Sequence, residues 1–344
     1  MSTLMTPAMT LAADSAPAPT SAGTPTGLPV GLTAADADRI AAAISAARTE
    51  STRTVYVGAW RQWERWCASR SITPLPGDPV ALWRCGAYLT ERAASGIAMA
   101  TLDLSCTAIR HVHRMHGLED PVASETVRQV RLGLRRTYGS APRRLAHPLT
   151  VTEIRQIVAS IGGSTPIGTR DAAIILLGFA SALRRSELTA LTLADIEAKP
   201  AGLLLTVGQS KTDQEGHGQV VGVAHGSHAL TDPVAALAAW QAMRGSEPGA
   251  LFTRIWGSRV SLEPLSGHVV AWMLRARAQA AGLAAERITA HSLRAGHATT
   301  AALAGVRLDR IAAQTRHRDI SVLITRYIRP LEALAMTSSR DLGL

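Results

Sequence analysis

The sequence predicts a mainly α-helical protein with a small antiparallel β-sheet, divided between two domains. Three observations lead there. Apolar residues recur at three- and four-residue intervals on both sides of residues 139–149. That stretch, GSAPRRLAHPL, has no helical period and carries chain breakers. Beyond it lie three short runs around DIEAK, GLLLTVGQS and GQVVGVA, the last two separated by the polar turn SKTDQEGHG, which read as strands. At 344 residues, 47% of them hydrophobic, the chain can supply two cores.

In chain order, residues 1–33 have no Lys or Arg and several prolines, so a disordered arm is expected, and neither a signal nor a transit peptide. ADADRIAAAISAARTE suggests a short helix. TVYVGAWRQWERWCASR sets Tyr56, Trp60, Trp63 and Cys67 on one helical stripe, expected to be core rather than a base-stacking platform. Asp78 and Pro79 are a cap and a first-turn proline for a helix running to about Ser95. ATLDLSCTAIRHVHRMHG and SETVRQVRLGLRRTYG complete a helical domain over 34–138, with 139–149 as linker. Thr150 and Glu153 then form a capping box that opens a second domain over 150–329. Two helical segments are expected through Leu191, then the strands, then helices near 231–243, 265–281, 291–304, 307–316 and 319–329. Pro330 interrupts the last, and LEALAM makes 330–344 a C-terminal segment that either folds back as core or packs on a neighbouring protomer.

The net charge is +10, from 34 arginines and two lysines, Lys199 and Lys211. Residues 51–148 carry +7, against −2 for 1–50 and +5 for 149–344. Planar guanidinium forks suit phosphate, so nucleic acid is the indicated partner, with solvated helix faces under a compositional bias as the alternative. Arg128, Arg131 and Arg135, spaced along one helix, and Arg143 and Arg144 in the connector are the candidates for backbone contacts. Cys67, Cys85 and Cys106 have no metal-ligand spacing and an odd count, which points to reduced core residues. The apolar run IILLGFASAL is too short to cross a bilayer, so a soluble intracellular protein without membrane partners is expected.

Cleaving a phosphodiester needs a nucleophile, charge stabilisation on the nonbridging oxygens and a proton for the leaving oxygen. No convincing metal set is present: HVHRMH lies beside a basic helix without matched carboxylates. Arginines must then take the place of metal. SALRRSELTAL sets Arg184 at a turn entering a helix with Glu187 one turn on, either a functional pair or a surface salt bridge. TAHSLRAGHATTAAL sets His291 and Arg294 one turn apart, able to reach one phosphate. QTRHRDISVLITRYIRP adds His317 and Tyr327.

On ALRRSEL, Lys211 in QSKTD, HSLRAGH, RHRD and RYIRP, the chain resembles the tyrosine recombinase or phage integrase family, including its Xer and Cre types, over about residues 150–330. The resemblance implies a two-domain DNA clamp: a helical core-binding, SAM-like domain over 34–138 and a tyrosine-recombinase catalytic domain over 150–329. It implies site-specific cleavage and rejoining of DNA through a 3′-phosphotyrosyl intermediate, without metal or cofactor. Tyr327 would be the nucleophile, and Arg184 and Arg294 would grip the nonbridging oxygens. Lys211 would protonate the leaving 5′-oxygen, and His291 would accept or relay the tyrosine proton. His317 would donate to a nonbridging oxygen, and Glu187 would support Arg184 or His291. The implied partner is double-stranded DNA with an inverted-repeat site. The protein would be a homotetramer in the synaptic complex and a monomer when free, in the cytoplasm at the nucleoid. The rival readings are a type IB topoisomerase and a DNA-binding accessory protein with impaired catalysis. Three departures from the family pattern stand out. Ala182 and Arg316 replace usual glycines, and Tyr327 lies ten positions after His317 where nine is common, which turns a helix by about 100°.

Overall fold

The computed structural model describes residues 33, 35–36, 38–39, 42–43, 50–75, 81–139, 146–162, 165–208, 218–317, 319–326 and 337–343. The N-terminal arm, the Asp78 and Pro79 helix start, Arg143, Arg144, Lys211, Tyr327 and the LEALAM segment lie outside the described residues, apart from Thr33 at the end of the arm. Two compact units divide the chain, Met1–Arg143 and Arg144–Leu344.

The first unit contains helices α1 (Glu50–Ala68), α2 (Ala81–Ala94), α3 (Met99–Met115) and α4 (Glu125–Tyr138). The aromatic stripe of α1 is core on one side only. Trp63 and Cys67 are buried, while Tyr56 and Trp60 are half-buried at the margin. Trp66 joins them, its ring stacked on Trp63 at 5.4 Å, with Tyr88 edge-on to both at 5.2 and 5.5 Å. Ser124 caps α4 by accepting from the Val127 amide, and Gly139, at φ 74°, ends it. The three cysteines are buried free thiols. Burial pushes Cys67 and Cys106 up to about 11 and raises Cys85 as well.

The arginines of α4 are engaged within the unit. Arg131 and Arg135 both donate to Asp103 on α3, at 2.7 and 2.9 Å, and Arg128 pairs with Glu125 at 2.6 Å. Burial alone would raise the Asp103 carboxyl; the two guanidinium groups bring it below its ordinary value. Helix α4 is therefore pinned to α3 through Arg131 and Arg135, two of the residues that the sequence offers to phosphate.

The second unit opens with α5 (Val151–Ser160), where Thr150 and Glu153 form the reciprocal capping box. Helix α6 (Pro166–Ser181) follows, with Thr165 as cap and a proline in its first turn, and then α7 (Arg185–Ala190). Three helices thus reach Leu191 where the sequence suggested two, because Ala182 adopts a left-handed conformation (φ 51°) that stops α6. Strands β1 (Ile196–Lys199), β2 (Gly202–Val207) and β3 (Gln219–Ala224) form an antiparallel sheet in the order β1-β2-β3. Leu203 faces Val223 and Leu205 faces Val221, and these four are buried, so alternate residues of the hairpin turn to the core. After α8 (Pro233–Arg244) comes a second antiparallel pair, β4 (Thr253–Trp256) and β5 (Arg259–Pro264), which the sequence reading did not anticipate. Helices α9 (Gly267–Ala280), α10 (His291–Leu303), α11 (Leu308–Thr315) and α12 (Ile320–Arg326) complete the described unit. Its core centres on the wholly apolar middle of α6, with Leu149, Leu205, Trp240, Phe252, Leu274 and Leu293 packed around it. No helix among the described residues is long and apolar enough to cross a membrane.

Candidate active site

Two left-handed turns and one helix start bring the second unit's polar residues together. The first turn is Ala182, whose backbone carries the chain from α6 into Arg184. The second is Arg316, at φ 54°, which ends α11 in a Schellman motif: its amide bonds the Ala313 carbonyl at 3.2 Å and the His317 amide bonds the Ala312 carbonyl at 3.0 Å. Both sites favour glycine, and a side chain in this conformation costs about 1 kcal/mol. Arg294, on α10, ties the turns together. Its Nη1 donates to the Ala182 carbonyl at 2.7 Å, and its Nη2 donates to the Thr315 carbonyl. Arg294 is 1% exposed, an unusual depth for a guanidinium.

His317 is fixed by the same network. Arg294 Nη2 lies 3.2 Å from its Nε2, and Thr315 Oγ1 lies 2.7 Å from its Nδ1. Arginine can only donate, so Nε2 accepts, and Nδ1–H then donates to Thr315, whose hydroxyl in turn donates to the Ile311 carbonyl at 2.6 Å. In this arrangement the imidazole supports Arg294. Burial, followed by Arg294, Arg184, His291 and Arg316, pushes His317 down to about 4. His297, on α10, is also lowered by burial while its Nδ1 holds the Phe179 carbonyl at 2.9 Å.

A stability prediction follows from these two histidines. Their folded-state values lie below the ordinary 6.5, so the unfolded chain takes up protons first as pH falls. The stability they contribute is complete above about pH 6.5 and declines as pH drops towards 4. Melting curves at half-unit intervals should show the transition temperature falling through that window; a flat profile there would contradict the assignment.

Glu187 is the second hub. Its Oε2 accepts from the Arg184 backbone amide and its Oε1 from Arg184 Nη1, both at 2.7 Å, so it supports both the helix start and the arginine. Arg316 Nη2 donates to the same Oε2. Burial would raise the Glu187 carboxyl, but Arg316 and Arg184 together hold it below its ordinary value. His291 opens α10 with an exposed side chain one turn from Arg294. Arg184, Glu187, Arg294 and His317 thus share one network. Thr315 and Arg316 belong to it too, and neither was picked out from the sequence as a site residue. The signal for Arg316 was its departure from glycine immediately before His317. Among the described residues, no three His, Cys, Asp or Glu side chains gather as a metal cluster would require.

Comparison with known proteins bears on the family and the fold. The profile described as the Phage integrase family matches residues 148–333. The Integrase/recombinase xerD homolog of Selenomonas ruminantium is 30% identical over 287 residues, covering 82% of each chain. Among solved structures, a lambda integrase dimer bound to a COC′ core site is similar with a TM-score of 0.58 at 18% identity, over 85% of this chain and 75% of that one. The Tn1549 transposon integrase in complex with transposon right end DNA gives 0.57 at 13% identity, over 83% and 92%. These two likenesses carry the fold, mainly helical with small antiparallel sheets. With the family profile spanning more than half of the sequence and a relative at this identity over 82% of both chains, the chain belongs to the phage integrase family and is an enzyme of the tyrosine-recombinase type.

Proposed function

We propose that this protein is a site-specific recombinase that cuts and rejoins double-stranded DNA through a 3′-phosphotyrosyl intermediate on Tyr327, without metal. The observation that carries the reading is the network in which Arg294 joins the turn before Arg184 to the turn before His317. Three segments far apart in sequence thereby meet around Arg294, with Arg184 two residues beyond the Ala182 carbonyl it holds, which supports a pair of guanidinium groups acting on a pentacoordinate phosphate with growing equatorial charge.

Tyr327, the only tyrosine after Tyr138, attacks the scissile phosphorus and displaces the 5′-oxygen. Lys211 gives that oxygen its proton. His291, exposed at the head of α10, takes or relays the tyrosine proton. Arg184 and Arg294 hold the nonbridging oxygens, and His317 keeps Arg294 in place in the DNA-free protein, donating to phosphate only if its ring exchanges partners. A 5′-hydroxyl from the partner strand then attacks the phosphotyrosine and releases the enzyme. Arg128, Arg131 and Arg135, with Arg143 and Arg144, supply backbone contacts in competition with Asp103 and Glu125. An inverted-repeat target bound by two protomers, and a tetramer at synapsis, fit the strand-exchange reaction. Its setting would be the DNA-bearing cytoplasm.

The test is covalent capture. Wild-type protein and Tyr327→Phe are incubated with nicked genomic duplexes in chelator, denatured, and the retained DNA sequenced. Wild-type adducts at one recurrent site with inverted arms, absent from Tyr327→Phe, are expected. Scattered adducts would instead indicate a topoisomerase-like activity, and no adduct despite native binding an accessory protein.

A further inference from the structure

Arg316 stands where the family pattern has glycine, and its side chain is not turned to solvent. It is 4% exposed and faces a Glu187 side chain that is 2% exposed. Among the described residues its Nε and Nη1 find no hydrogen-bond partner, so Glu187 is the counter-charge that makes its burial tolerable. The left-handed backbone at this position adds a steric cost that glycine would avoid. Two unfavourable features at one residue call for a compensating role.

That role is legible in how the carboxylate is shared. Arginine and carboxylate groups favour a two-pronged pairing, fork to fork. Arg184 makes a single side-chain contact instead, Nη1 to Oε1, because Oε2 is taken by the Arg184 amide and by Arg316. Without Arg316, Oε2 would keep only the Arg184 amide, and its second lone pair would let the Arg184 fork close fully on Glu187. The local charge would also change, since one carboxylate now lies between two guanidinium groups, and without Arg316 it would cancel the charge of Arg184.

We propose that Arg316 is a positioning residue for strand cleavage: by occupying Glu187 Oε2 it restricts Arg184 to one contact with the carboxylate and leaves the remaining fork and its positive charge for the scissile phosphate. The inference rests on the recombinase reading and deepens it by adding a residue that acts through Arg184.

The experiment measures single-turnover adduct formation on nicked duplex carrying the site captured by wild-type protein. The scissile group is either an ordinary phosphate or a neutral methylphosphonate, which lacks the charge that Arg184 opposes. Arg316→Met, Arg184→Ala and the double variant Glu187→Gln/Arg316→Met are compared with wild type, together with DNA affinity and melting temperature. Arg316→Met is expected to slow cleavage of the phosphate by about 10- to 100-fold with affinity nearly unchanged. Its defect should shrink on the methylphosphonate, as should that of Arg184→Ala. Adding Glu187→Gln removes the carboxylate that would hold the Arg184 fork, so the double variant should fold and cleave faster than Arg316→Met. Wild-type cleavage by Arg316→Met, an equal defect on both substrates, or no recovery in a folded double variant would each overturn the inference while leaving Tyr327 chemistry intact. Absence of any Tyr327-dependent adduct in wild type would overturn both.

Discussion

Arg294→Ala is expected to reduce the rate of covalent strand cleavage by about 10²- to 10³-fold at saturating DNA, the loss typical of removing a charge-stabilising donor. DNA affinity should change much less, because a single phosphate contact among many contributes a small share of binding. The variant also strands the carbonyls of Ala182 and Thr315 and releases His317 Nε2, so both left-handed turns lose their common anchor. Arg294→Lys is instructive in comparison. It restores the charge, but one ammonium nitrogen cannot span two carbonyls on opposite sides of a planar fork, so cleavage should remain well below wild type. Rapid-quench adduct formation with parallel melting curves measures both quantities. A folded Arg294→Ala protein that cleaves at the wild-type rate would remove Arg294 from the chemistry.

The largest stability effect is expected at Gly296. A β-carbon there would lie 2.0 Å from the Leu149 carbonyl oxygen and 2.9 Å from its carbon. These are backbone atoms of a buried residue whose amide also bonds the Ser292 carbonyl at 3.2 Å, so neither side can step back cheaply. Gly296→Ala must push α10 away from residues 146–150. Small-to-large changes in tight packing cost about 1–3 kcal/mol, and more where backbone blocks the added atom; a loss of about 3 kcal/mol or more is expected. Urea unfolding gives the number, and a midpoint matching wild type would show that the close approach does not persist in solution. Because α10 carries His291 and Arg294, cleavage should fall along with stability.

These two residues also mark what the sequence could and could not disclose. Gly296 sits inside HSLRAGH, visible as part of a motif, but its reason for being glycine lies 147 positions away at Leu149 and leaves no local pattern. Helix limits were readable where side chains bond their own backbone, as at Thr150 with Glu153. The turn before Arg184 was readable too, but its left-handed conformation at Ala182 was not, because alanine gives no sign of one. The β4 and β5 pair was hidden for a different reason. Trp256 and Leu262 are exposed while Thr253 is fully buried, so polarity does not alternate with burial. At the site, residue types announced the phosphate chemistry, whereas the sharing of Glu187 between Arg184 and Arg316 depends on a through-space meeting of segments 129 positions apart.

The placement of the thiols has a practical consequence. All three cysteines of the chain lie in the N-terminal unit, shielded from solvent and held largely protonated at neutral pH. An alkylating reagent can reach them only when that unit opens, and nothing in the C-terminal unit competes for the label. The protein therefore carries a chemical clock: mass added per unit time counts the excursions of one half of the molecule while the other half stays silent. Run with and without DNA, the same clock would show whether the N-terminal unit opens less often in the presence of a duplex.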